Sequence, residues 1–194
     1  MAERGILLDL DGTVWDGWAH YARLLHERGA GDQRSQLAAI RGGASAANLL
    51  DRAGVSKRAF AEACTDFPAE LYDGIAAALA EAARQGVRLA AVTNLPKWMC
   101  EPMIAAHALP LETTVSWTRA RRPKPNPDPL LFALEQLGLE ASEQHWYVGD
   151  SAGDARAAKA AGLRFAWASW GYAAEAPRGT DRELASPEEI LGLR

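Results

Sequence analysis

The apolar run Ile6-Leu7-Leu8, ending abruptly in Asp9-Leu10-Asp11-Gly12-Thr13, constrains the fold more than any other stretch of this chain. Consecutive apolar residues without polar alternation read as a strand buried on both faces, the setting of a parallel sheet covered by helices. Such a strand tolerates carboxylates only beyond its carboxyl end, where open α/β sheets gather their ligands. Asp9 and Asp11 stand two residues apart, so they start on one side of the strand. Gly12 allows a sharp turn, and the Thr13 hydroxyl is placed to fix it. Two close carboxylates repel each other unless a proton or cation intervenes. The pair therefore fits a hard metal site, a division between nucleophile and general acid/base, or merely the capping of a helix.

Three further segments narrow these alternatives. Arg88-Leu89-Ala90-Ala91-Val92 is a second apolar strand and ends in Thr93-Asn94. Trp146-Tyr147-Val148 is another and ends in Gly149-Asp150-Ser151, with Asp154 one helical turn on. Between them lies Arg122-Pro123-Lys124-Pro125-Asn126-Pro127-Asp128-Pro129, read as a loop because of its prolines. Parallel strands deliver their ends to one edge. The groups collected there are a carboxylate pair, a hydroxyl with an amide, an ammonium, and further carboxylates. That inventory suits Mg²⁺ and a phosphoryl group, with oxygen ligands for the metal and a cation and neutral donors for the phosphate.

The rest of the chain reads as a core with an insertion. From Trp15 to Tyr72 the pattern is a cluster of short helices without a strand, with Asp32 and Ser56 as N-caps and Gly42-Gly43 as a stop. From Asp73 strands and helices alternate: helices over 75–85, 96–107, 130–137 and 152–161, strands over 113–117 and 164–168, and a last helix opening at Ser186-Pro187. The expectation is an α/β fold, a doubly wound, Rossmann-like parallel sheet from residues 1–14 and 73–194, with a small all-helical cap over 15–72.

Composition excludes several classes. At 194 residues the chain buries one full core and a small satellite, not two ordinary domains. A net charge of −4 argues against a nucleic-acid surface, and no apolar run is long enough to span a bilayer. Ile6 follows Met1 too closely for a signal or transit peptide between them. Cys64 and Cys100 lack metal-ligand spacing and read as reduced thiols of a cytoplasmic protein.

The four segments in this order resemble the motifs of the haloacid dehalogenase superfamily: D-L-D-G-T (Asp9, Asp11, Thr13), T-N (Thr93, Asn94), the lysine of R-P-K-P-N-P-D-P (Lys124), and G-D-S-A-G-D (Asp150, Asp154). The segment 155–162 and Trp170-Gly171-Tyr172 are most similar to its phosphoglycolate-phosphatase-like branch, whose members carry a small helical cap. The resemblance implies a Mg²⁺-dependent phosphatase acting on a small phosphorylated metabolite. Asp9 would be the nucleophile that forms an aspartyl-phosphate and Asp11 the general acid and base. Asp9, Asp150 and the backbone carbonyl of Asp11 would hold the metal. Thr93 would donate to the phosphoryl group, Lys124 would neutralise charge, and Asp154 would support the site. Asn94 and Arg41 are candidate substrate contacts, with a turn residue and a helix-end cation as the competing readings.

A phosphomutase of the same fold is the alternative, and a non-catalytic binding or regulatory module a more distant one. A dehalogenase would need neither Asp11 nor metal. A phosphonate hydrolase would need a lysine in the cap, where only Lys57 stands, at a helix start. Branch members often carry lysine directly after T-N; here Leu95 does, and lysine appears only at Lys97. Trp15, Trp18 and Trp98 read as packing.

Overall fold

The computed structural model describes residues 4–41, 46–117 and 122–194. In chain order the elements are β1 (Gly5–Leu8), α1 (Gly17–Glu27), α2 (Gln33–Arg41), α3 (Ala46–Ala53), α4 (Lys57–Asp66), α5 (Ile75–Arg84), β2 (Arg88–Val92), α6 (Lys97–His107), β3 (Thr113–Val115), α7 (Asp128–Gln136), β4 (Trp146–Gly149), α8 (Ala152–Ala160), β5 (Arg164–Ala168) and β6 (Arg182–Leu184). A 3₁₀ segment, Pro187–Gly192, closes the chain's last turn. All strand pairs are parallel, in the order β3-β2-β1-β4-β5-β6. β1 thus sits between β2 and β4, where the strand order reverses and α/β sheets open a crevice.

The chain divides into two compact units. The first comprises Met1–Trp15, Leu71–Lys97 and Leu109–Arg194 and contains the sheet. Register puts Leu7 beside both Ala90 and Tyr147, and Tyr147 beside Phe165. These residues share one face of the sheet and are covered by Leu130, Ala133 and Leu134 of α7 and by Ala155, Ala157 and Ala158 of α8, all buried. Alternation carries the side chain two residues beyond Leu7, that of Asp9, to the same face. The second unit comprises Asp16–Glu70 and Trp98–Ala108, so most of α6 belongs with it. Its core includes Tyr21, Leu24, Phe60, Cys64, Met99 and Cys100, with Phe60 edge-on to Trp98 at 6.3 Å between centroids.

Local chemistry starts the helices, at Asp32 and Ser56 as expected and at Asp16 in addition. Asp16 accepts from Ala19 N at the start of α1, Asp32 from Ser35 N at α2, and Ser56 from Ala59 N at α4. Two expectations need correction, and one strand was not foreseen. α7 begins at Asp128, inside the proline-rich stretch, because Pro127 and Pro129 fall at the N-cap and first turn, where a missing N–H is harmless. The Ser186-Pro187 segment forms a 3₁₀ turn rather than an α-helix. β6 is an additional short edge strand. No helix among the described residues is long and apolar enough to cross a membrane.

Candidate active site

The site lies at the carboxyl ends of β1, β2 and β4 in the first unit, around Lys124. The Lys124 ammonium is buried and meets three oxygens: Asp9 Oδ1 at 2.9 Å, Asp154 Oδ1 at 2.6 Å and Tyr147 Oη at 2.6 Å. Three donors thus find three acceptors. Its backbone is held as firmly. Asn94 Oδ1 accepts from Lys124 N at 3.0 Å, and Asn94 Nδ2 donates to Lys124 O at 3.1 Å. The carboxamide proposed from sequence as a substrate contact is therefore engaged in presenting the lysine.

Asp154 is 1 % exposed, and both its oxygens are occupied. Oδ1 takes Lys124 and the Tyr147 hydroxyl; Oδ2 takes the backbone N–H and hydroxyl of Ser151. The Ser151 hydroxyl in turn caps Asp154 N, a reciprocal capping box at the start of α8. Tyr147 was not singled out from the sequence, yet its hydroxyl joins Lys124, Asp154 and the carbonyl of Val92 at 2.8 Å. The available signal was a tyrosine in a strand otherwise buried on both sides, whose hydroxyl must find partners.

Asp150 is 3 % exposed and is fixed from a different loop. Tyr172 N donates to its Oδ2 at 2.8 Å, and Trp170 Nε1 donates to the carbonyl of Thr13 at 3.0 Å. Gly171 between them fits so closely that a Cβ there would lie 2.3 Å from both Asp150 Cβ and Gly12 O. The Trp170–Tyr172 loop thus straps Asp150 to the turn after β1. In that turn Gly12 adopts φ +80°, as its position requires. The Thr13 hydroxyl does not fix it and has no hydrogen-bond partner among the described residues. Backbone bonds from residues 13–15 to Leu10 O hold it instead.

Asp9, Asp11, Thr93, Asn94, Lys124 and Asp154 line one cavity of about 200 Å³, together with Leu95, Ser151 and Gly153. Thr93 is 3 % exposed, and its Oγ1 accepts from Leu95 N at 3.1 Å, which leaves the hydroxyl proton to point elsewhere. Asp11 Oδ1 accepts from Trp15 Nε1 at 2.7 Å. Arg41 is the exposed last residue of α2 in the second unit; the Gly42–Ser45 stretch that follows it lies outside the described residues. Lys57 and Lys97 are exposed.

Burial dominates the electrostatics. It raises Asp9 to about 6 against the lowering pull of Lys124, with Asp154 adding to the rise. It raises Asp150 to about 7, helped by Asp9 and Asp154 and opposed by the Tyr172 N–H. Burial works against the charge of Lys124, but Asp154 and Asp9 outweigh it and hold the ammonium above its ordinary pKa. Burial and the same carboxylates keep Tyr147 neutral.

Ligand oxygens of Asp9, Asp150 and Asp154 lie within 4.8 Å of one another. An all-oxygen set suits a hard divalent cation, and the raised carboxylates mark a deficit of positive charge that such an ion would cancel. Asp154 is already saturated by Lys124, Tyr147 and Ser151, so Asp9 and Asp150 are the ligands that fit.

Comparison with known proteins agrees with this geometry. The family model of haloacid dehalogenase-like hydrolases matches residues 6–168. A plasmid-encoded phosphoglycolate phosphatase of Cupriavidus necator is 38% identical over 128 residues, covering 63% of this chain and 55% of that protein. The chain spans about half the length of several such curated relatives, 43% to 55% of each. A phosphoglycolate phosphatase of Xanthomonas campestris is 33% identical over 97% of this chain and 91% of its own length. Among solved structures, a putative phosphoglycolate phosphatase from Lactobacillus plantarum superposes with a TM-score of 0.75 at 24% identity, covering 100% of both chains. A mutant of the CbbY protein of Rhodobacter sphaeroides, solved in complex with xylulose-(1,5)bisphosphate, gives 0.73 at 24% identity, covering 97% of this chain and 98% of its own. Four ordered motifs, one buried lysine–carboxylate cluster and these likenesses converge: the chain belongs to the haloacid dehalogenase-like hydrolase family, in its phosphoglycolate-phosphatase-like branch.

Proposed function

We propose that this protein is a Mg²⁺-dependent phosphatase that hydrolyses a small organic phosphate monoester through an aspartyl-phosphate on Asp9. The observation that carries the reading is the buried ammonium of Lys124 held 2.9 Å from Asp9 Oδ1 beside Asp11 and Thr93 in one cavity. A carboxylate facing a cation and a pocket of donors is equipped to attack phosphorus rather than to stabilise the fold.

In the first step an Asp9 oxygen bonds to phosphorus while the bond from phosphorus to the leaving oxygen breaks. Asp11 supplies the proton that leaves with the alcohol. In the second step Asp11 takes a proton from water as that water attacks phosphorus, which releases inorganic phosphate and restores Asp9. Lys124 offsets charge on Asp9 and on the phosphoryl oxygens throughout, and Thr93 donates to one of those oxygens. Mg²⁺ held by Asp9, Asp150 and the Asp11 carbonyl would neutralise the phosphate dianion as it approaches two carboxylates. Asp154, Tyr147 and Asn94 keep Lys124 in place.

The names of the relatives make phosphoglycolate, a two-carbon acid phosphate, the first ester to assay. A cytoplasmic location belongs to the same proposal, supported by the two buried thiols Cys64 and Cys100 and by the phosphorylated-metabolite substrate. The test is release of inorganic phosphate from phosphoglycolate and from a panel of sugar phosphates, with Mg²⁺ and after chelation. Turnover should need the metal and vanish in Asp9→Asn. A phosphomutase would instead isomerise a sugar phosphate and release little phosphate. Unchanged turnover by Asp9→Asn, or after exhaustive metal removal, would sink the reading.

A further inference from the structure

Trp15 is fully buried in the first unit, and its indole Nε1–H donates to Asp11 Oδ1 at 2.7 Å. Packing alone would account for its burial but not for this bond to a carboxylate lining the cavity. The backbone aims the ring there. Residues 13, 14 and 15 all donate to Leu10 O, and Gly12 N donates to Trp15 O at 2.9 Å, so the chain curls back and pairs Trp15 with Asp11. The returning segment locks this turn from the other side: Trp15 forms a bridge with Leu71, and Tyr72 N donates to Val14 O at 3.1 Å. A ring this firmly held presents its N–H as a fixed donor.

We infer that Trp15 is a positioning residue for proton transfer by Asp11, an inference that rests on the reading of Asp11 as general acid and base. A donor on Oδ1 holds the carboxyl in one orientation and disfavours a proton on that oxygen, so the transferable proton sits on the other. When the proton passes to the leaving oxygen and the bond to phosphorus breaks, Asp11 becomes a carboxylate. The hydrogen bond from Trp15 then becomes charge-assisted and roughly twice as strong as a neutral one. Trp15 therefore stabilises the form of Asp11 that develops in the transition state. Its contribution grows with the leaving group's need for a proton, which is greatest for an alkyl ester.

The experiment compares kcat/KM of the Mg²⁺-loaded wild type, Trp15→Phe and Asp11→Asn on p-nitrophenyl phosphate and on phosphoglycolate. The first has a leaving group that departs without protonation; the second does not. Trp15→Phe should lower kcat/KM for phosphoglycolate about tenfold, against roughly 10²–10⁴-fold for full loss of acid catalysis. It should lower p-nitrophenyl phosphate by no more than about twofold. A purely structural role would lower both alike, and that result overturns the inference. If Asp11→Asn itself falls equally on both esters, the assignment of Asp11 fails, and the role of Trp15 fails with it. Should Trp15→Phe not fold, replacement of Trp15 by β-(3-benzothienyl)alanine keeps the ring shape and removes only the N–H. Wild-type kcat/KM for phosphoglycolate in that variant would equally refute the proposal.

Discussion

Gly171→Ala tests the strap that holds Asp150. Gly171 has no left-handed backbone requirement, so the effect of the change is steric. The added Cβ would stand 2.3 Å from Gly12 O and 2.3 Å from Asp150 Cβ, about 1 Å inside the ordinary contact range of 3.4–4 Å. Neither neighbour is the far end of a flexible side chain, so loop and turn must separate. A retreat of that size stretches the 2.8 Å bond from Tyr172 N to Asp150 Oδ2 beyond hydrogen-bond range. Overpacking costs typically about 1–3 kcal/mol, and a lost hydrogen bond to a charged group about 1.5–3 kcal/mol. The total is about 2.5–6 kcal/mol of folding stability. Releasing the orienting partner of Asp150, a metal ligand in the proposed mechanism, should also weaken Mg²⁺ binding by roughly 10–100-fold. Urea denaturation gives the first quantity and calorimetric titration with Mg²⁺ the second. A variant with wild-type stability and wild-type Mg²⁺ affinity would refute the strap, since the clash leaves no way to keep both.

Two further outcomes follow from the same cluster. Lys124→Met leaves Asp9 and Asp154 buried without their cation, which should cost about 3–5 kcal/mol near neutral pH and less near pH 5, where a carboxyl can take up a proton; equal urea midpoints for variant and wild type would contradict the buried cluster. In the metal-free protein Asp9 at about 6 and Asp150 at about 7 lie above their ordinary 3.8, so the folded state binds protons more tightly than the unfolded one. Their stabilisation is therefore complete below 3.8 and is lost as pH rises through about 6 to 7. Metal-free wild type should lose stability between about pH 4 and pH 8 relative to Asp150→Asn, and Mg²⁺ should raise the melting temperature more at about pH 8 than at about pH 5. A flat difference profile would show that the Asp150 carboxyl is not raised.

The amino-acid sequence by itself determined the sheet and the chemical inventory of the site. Apolar runs ending in Asp9, Thr93 and Asp150 mark parallel strands and their functional ends, because a strand buried on both faces excludes polar residues along its length. The caps at Asp32 and Ser56 were equally legible, since capping depends on residues only three apart. The edge strand Arg182–Leu184 was not, because three residues carry too short a pattern and pairing with β5 decides their conformation. The start of α7 was hidden by prolines whose tolerance depends on their position in the first turn.

Only the tertiary structure decided how the inventory is divided. Asp154 and Asp150 come from one motif, yet Lys124 and Ser151 saturate the first while Tyr172 braces the second. Asn94 turns to the backbone of Lys124, thirty residues away in sequence. Trp15 and Tyr147 present as packing residues in the sequence; the turn after β1 brings the indole N–H to Asp11, and the Tyr147 hydroxyl meets Lys124 only once β4 and the distant lysine loop are folded together. The physical reason is range. Periodicity and capping are local and can be read along the chain, whereas the partner of a buried polar atom is whatever the folded sheet brings within about 3 Å of it.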